Sequence, residues 1–206
     1  MLPYLIFGVT FAFAAAVQPG PFQAFLLAQT SRQGWRRTLP AAFAPLLSDG
    51  PIVVLVLLVL NRVPSGLISV LQAAGGAFLI FLAVGAWNTW RNSAAVQAAP
   101  GPDRQQTLLK AALVNLLNPN PYLGWSLVMG PLLLKGWRET PGHGIALLVG
   151  FYGTLVLSTM GIILLFGLAS NFGPRVSRIL VAVSAITLAG FGVYELWLAA
   201  GAFLRI

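Results

Sequence analysis

Between Met1 and Ser31 the chain carries no charge, yet its apolar run is interrupted by Gln18-Pro19-Gly20-Pro21. Each proline removes a helical hydrogen bond and brings its ring against the preceding turn, so a helix through this stretch must break or kink sharply. The pattern returns 100 residues later as Asn118-Pro119-Asn120-Pro121, and the aromatic pairs Phe22/Tyr122 and Phe25/Trp125 keep the same offset. A fold for this chain has to accommodate two matched interruptions in otherwise apolar helices.

Composition says where those helices lie. Hydrophobic residues make up 58% and charged residues 8% of the chain, against about a quarter charged in soluble domains, and the mean hydropathy is +0.85. An integral membrane protein follows, with the lipid bilayer as its first partner. A net charge of +8 suggests nucleic acid in a soluble chain. Here all twelve Lys and Arg fall between or at the ends of apolar runs, the footprint of membrane topology, so no nucleic-acid partner is expected. With no cysteine and His143 as the single histidine, disulfides, thiol redox chemistry and an imidazole cluster are excluded, and no metal site or cofactor is expected.

A span needs roughly 20 apolar residues, which predicts six: about 3–29, 38–60, 66–90, 111–134, 144–169 and 179–201. The apolar N-terminus ending Ala14-Ala15-Ala16 lacks the basic start of a signal peptide and continues to Gln29, so 3–29 is expected to be a retained span. Residues 91–107 read as a linker between repeat one, 1–90, and repeat two, 108–206, of a single transport domain. The expected loops one, three and five hold eight basic residues (Arg32, Arg36, Arg37, Arg91, Arg104, Lys110, Arg175, Arg178), the other side four (Arg62, Lys135, Arg138, Arg205). Basic loops stay in the cytoplasm, so both termini are expected on the far side.

The repeat reaches beyond the prolines. Gly85, Trp87, Asn88 and Trp90 match Gly192, Tyr194, Glu195 and Trp197, while Leu47-Ser48-Asp49 matches Leu157-Ser158-Thr159. Three spans per half is an odd number, so the halves are expected to be inverted relative to each other. The predicted fold class is all-α integral membrane: six transmembrane helices as two inverted three-helix repeats, with helices one and four broken at the proline motifs. Ala12, Ala16, Gly20, Ala24 and Ala28 form a smooth seam suited to close helix packing, and Gly150, Thr154 and Ser158 a shorter one.

Asp49 lies mid-span, where a carboxylate costs about 2.5–3.5 kcal/mol on insertion scales. Two uses are open to it: carrying a proton or facing a cationic substrate, or being held protonated against backbone freed by Pro45 and Pro51. Glu195 stands within two turns of a span end, from which it can reach the interface. Half-helices starting near Pro21 and Pro121 would offer free N–H groups and a positive dipole end to a carboxylate. The substrate-binding candidates are therefore Gln18, Pro19, Gly20, Pro21, Asn118, Pro119, Asn120, Pro121 and Trp125, with Asp49 for proton coupling. Asn115, Asn118 and Asn120 can bond a ligand or repair the backbone, and Trp125 can cover a substrate or face lipid. No nucleophile–base pair or phosphate loop occurs in the spans, so an enzyme is not expected.

These features, Pro19-Gly20-Pro21 mid-span, Gly34 with basic residues in the next loop, Asp49, and Asn115-Leu116-Leu117-Asn118-Pro119 opening span four, resemble the LysE-type translocator family, with its RhtB-like homoserine and threonine exporters. The resemblance implies a bacterial inner-membrane exporter of amino acids or related small zwitterionic or cationic metabolites, driven by the proton or membrane gradient. Pro19, Gly20, Pro21, Asp49, Asn118 and Pro119 match the family pattern. Asn120 departs from it, since many members carry lysine there, and Pro40 and Pro45 stand where glycines are common. The layout also resembles the CcdA-type thiol-disulfide electron carriers, but their chemistry needs cysteines this chain lacks, leaving only a non-redox relative. Export of a metal ion or another small solute is a further alternative, and a homo-oligomer is compatible with the sequence.

Overall fold

A computed structural model describes residues 1–18, 20–58, 65–91, 104–170 and 173–203. Pro19, Arg62, Arg205 and most of the expected linker, 92–103, lie outside the described residues. Every described element is helical: α1 (Leu2–Val17), α2 (Pro21–Gln33), α3 (Trp35–Thr38), a 3-10 turn (Leu39–Phe43), α4 (Ala44–Leu58), α5 (Ser65–Arg91), α6 (Arg104–Leu117), α7 (Pro119–Gly124), a π-helical turn (Trp125–Met129), α8 (Gly130–Glu139), α9 (Pro141–Ser170) and α10 (Pro174–Phe203).

Among the described residues, four stretches are long and apolar enough to cross a membrane: Trp35–Val56, Ser69–Asn88, Pro141–Ser170 and Arg178–Ala202. The pair α1 and α2, bent by 62°, makes a fifth if taken as one span. The expected span 111–134 does not reach that standard as a continuous helix. Asn115, Asn118 and Asn120 dilute its hydropathy, and it is divided among α6, α7, the π turn and α8. Arg104–Thr107, expected in the linker, instead forms the first turn of α6, where Thr107 is buried and accepts a hydrogen bond from Gln33 Nε2 at 2.8 Å.

Close helix packing orders the bundle. α5 and α10 run antiparallel: Arg178 at the start of α10 lies over Trp90 at the end of α5 (5.4 Å). Near their crossing, a Cβ on Gly76 would sit 2.8 Å from the Gly192 carbonyl oxygen, and one on Gly192 3.0 Å from that of Gly76. Only hydrogen side chains permit this backbone approach. α1 and α9 run parallel, since Tyr4 stacks on His143 near the start of α9 (4.8 Å) while Phe11 meets Phe151 further along (6.2 Å). The seam foreseen in the first span is buried at Ala12, Ala16, Ala24 and Ala28.

These contacts sort the loops to two ends. The Gln33–Thr107 bond, Trp35 against Gly167, and Arg178 over Trp90 gather the ends of α2, α5 and α9 and the starts of α6 and α10 together. The opposite end holds Tyr4, Glu139 and His143. Large apolar side chains such as Leu157 (70% exposed) and Phe81 (66%) point outward, as lipid-facing positions do.

Candidate functional site

α1 ends at Val17, and Gln18 leaves the helix in an extended conformation. α2 begins with Gly20 as its extended N-cap and Pro21 as its first residue, a position where the missing N–H is no loss. Its first helical bond runs from Ala24 N to Gly20 O (3.0 Å), so the N–H groups of Phe22 and Gln23 precede the helical ladder. The orphaned carbonyl of Ala16 accepts Gln23 Nε2 at 2.8 Å.

The second interruption is built alike at one atom and differently at another. Leu116 O, 100 residues on from Ala16, accepts the Tyr122 hydroxyl at 3.0 Å. α7, however, starts at Pro119 rather than near Pro121. Prolines at its first and third positions have no N–H, and Asn118 Oδ1 accepts the N–H of Asn120 at 3.1 Å. The first three positions of α7 thus present no free donor, which corrects the expectation of two matching anion sites. An Asx cap, which glycine cannot make at the equivalent Gly20 N-cap of α2, is the cause.

Between the interruptions lies a cavity of about 320 Å³. Eight of the ten candidate residues line it: Gln18, Gly20, Pro21, Asp49, Asn118, Asn120, Pro121 and Trp125. Pro119 faces a smaller neighbouring void instead, and Pro19 is outside the described residues.

Asp49 is 3% exposed, and both its oxygens are engaged. Asn115 Nδ2 donates to Oδ1 at 2.9 Å and to Ser48 Oγ at 2.7 Å, while Ser48 Oγ donates to Ala44 O at 3.0 Å. Trp125 Nε1 donates to Oδ2 at 3.4 Å, and Tyr152 stacks on the Trp125 ring beside the same carboxyl. Of the two alternatives for Trp125, facing lipid is therefore ruled out: the ring is 2% exposed, with Phe151 edge-on at 5.7 Å and Tyr152 stacked at 6.3 Å.

Several lining residues were not singled out as candidates. Thr159 carried a signal, since the repeat pairs it with Asp49, and both line the cavity. Gln23 sits inside the first proline window. Phe11, Phe151 and Met129 had no mark that set them apart from other core residues. Glu195, expected to reach the interface, is 8% exposed and borders a small void with residues of α2, α5, α6 and α7.

Among the described lining residues Asp49 alone is charged, and the rest supply amides, one hydroxyl and an apolar wall. Such a chamber can bind and orient a small polar molecule. No significant match exists among curated proteins or among solved structures. The model of the LysE type translocator family matches residues 13–198 of the 206, and the chain belongs to that family of membrane translocators for small solutes.

Proposed function

We propose that this translocator exports an amino acid, or a related small zwitterionic or cationic metabolite, across a bacterial inner membrane in exchange for protons. The observation that carries the reading is Asp49, the one charge among the described residues lining a cavity that both interrupted helices enclose. A buried carboxylate in an apolar span is retained where it meets a cation or a proton. The cavity volume falls at the small end of ligand pockets, in keeping with a substrate of amino-acid size.

Asp49 serves both partners. The substrate ammonium replaces the long Trp125 bond on Oδ2 and stays beside Oδ1, which Asn115 holds. A proton arriving on Asp49 removes the negative charge that retains the ammonium, so proton entry favours substrate release. The substrate carboxylate is received at the start of α2, by the N–H groups of Phe22 and Gln23 and the dipole end they mark, with Gln18, Asn118 and Asn120 as further amide donors. Trp125 closes the chamber over the bound molecule.

Two inverted halves suit this cycle. Support comes from the antiparallel packing of α5 on α10, and from the repeat partners Asp49 and Thr159 facing one cavity. The six-span count then takes α6 to α8 as the second broken span. Both termini are assigned to the periplasmic side; a cytoplasm-only reporter fused after Ile206 stays silent, and a signal there reverses the orientation.

Uptake into inverted vesicles under an imposed proton gradient, against a panel of amino acids, amines and metal ions, tests the function. Accumulation of at least one amino acid, collapsed by a protonophore, is expected. Accumulation confined to metal ions overturns the substrate class, and protonophore-insensitive accumulation overturns the coupling.

A further inference from the structure

Behind the two interruptions stands a second buried carboxyl. Glu195 is 8% exposed and its Oε2 has no hydrogen-bond partner among the described residues, with the Gln72 side chain of α5 beside the carboxyl. Glu195 borders a void of about 10 Å³ that Pro21, Asn118 and Pro119 also line. Space of that order holds about one water. Pro21 and Asn118 also line the Asp49 cavity. Residues of the two helix interruptions therefore border both the void beside Glu195 and the cavity of Asp49.

An unpaired carboxyl oxygen buried in an apolar span is expensive to keep. The other described residues that line the void, from α2, α5, α6, α7 and the Asn118 cap, include no ionisable side chain to pair with it. On its own helix the adjacent Tyr194 is half exposed and outside the void. The open valence of Oε2 beside a water-sized space suits a proton.

We propose that Glu195 is a second proton-binding site of the translocator, exchanging protons with the substrate cavity through one water held beside Pro21 and Asn118. The proposal rests on the transport reading above. In the exchange, an O–H bond of hydronium in the void breaks as an O–H bond forms on Oε2, leaving neutral water; release reverses the step. With Asp49 occupied by a substrate ammonium, a separate acid lets the protein hold a proton and a cation at once. Any movement that opens or closes the interruptions shifts the residues that border both spaces, which links proton passage to substrate passage.

The apolar reagent dicyclohexylcarbodiimide adds to protonated carboxyls in apolar surroundings, and peptide mass spectrometry locates the adduct. On the purified full-length protein, an adduct on Glu195 is expected that declines as pH rises and is absent in Glu195→Gln. In inverted vesicles Glu195→Gln should lose gradient-driven accumulation while retaining substrate binding and substrate–substrate exchange. No Glu195 adduct at any pH, or wild-type accumulation by Glu195→Gln, overturns the proposal. Labelling needs no substrate and decides the matter even if the variant fails to fold. Failure of the transport reading looks different: Asp49→Asn would then bind and export normally.

Discussion

Asn115 and Asp49 are joined by a 2.9 Å hydrogen bond from Nδ2 to Oδ1, and the same amide nitrogen reaches Ser48 Oγ at 2.7 Å. The acid belongs to the first half of the chain and its donor to the second. Trp125, also from the second half, takes the other oxygen. Asp49 is thus oriented by the segment flanking the opposite helix interruption, and a movement of α6 or the π turn is felt directly at the carboxyl.

Separating charge from orientation at this pair is the first test. Asp49→Asn should keep the fold, seen as an unchanged elution profile, and abolish gradient-driven transport. Asn115→Leu should keep the charge but free the carboxyl, weakening substrate binding and lowering stability by on the order of 1 kcal/mol, the scale of one buried hydrogen bond within a membrane. Full coupled transport by Asp49→Asn would leave the aspartate only a packing role.

Replacing the prolines probes the two interruptions, and their different caps predict different outcomes. Pro19→Ala/Pro21→Ala should let α1 run into α2 and cover the N–H groups of Phe22 and Gln23, so affinity falls more for an amino acid than for the amine lacking its carboxylate. Pro119→Ala/Pro121→Ala should weaken both ligands alike, since Asn118 already occupies the Asn120 N–H. Unchanged affinities in both double variants would refute a site built on broken helices.

The α5–α10 crossing makes a stability prediction. Gly76→Leu would place its Cβ 2.8 Å from the Gly192 carbonyl oxygen and from Leu196 Cγ, which forces the helices apart at a cost of about 1–3 kcal/mol. Thermal unfolding in detergent should occur at lower temperature, whereas Gly190→Ala, with nothing within 4 Å of the added carbon, should leave it unchanged. Equal melting of the two variants would show that the crossing is not closely packed.

Glu139 lies outside the spans, where Tyr4 donates to its Oε2 at 2.8 Å and His143 Nδ1 lies 3.1 Å from the same oxygen. The Tyr4 bond, ahead of the His143 bond and nearby positive charge, holds the Glu139 carboxyl below its ordinary range. A depressed folded-state pKa contributes stability above the ordinary carboxylate pKa that is lost as pH falls through the lowered value. Tyr4→Phe should move the Glu139 titration, followed by NMR of labelled glutamate, back up toward its usual value. An unmoved titration would remove Tyr4 as the cause.

Residue types and their spacing were enough to assign the class of this protein and to locate its weak points. Prolines inside apolar runs and an aspartate at mid-span are costs set by a residue and its immediate surroundings, so Pro21, Pro121 and Asp49 were legible without coordinates. The offset of 100 residues also carried information beyond either motif, since both windows border one cavity. Tertiary structure alone decided which way the side chains face. A π turn with no distinctive sequence accompanies the inward placing of Trp125 beside Asp49, the Asn118 cap starts α7 at Pro119, and the packing of α10 among its neighbours buries Glu195. The physical reason is the same in each case. Helix rotation and register follow from how closely two backbones can approach, a property of the pair of helices that neither segment contains alone.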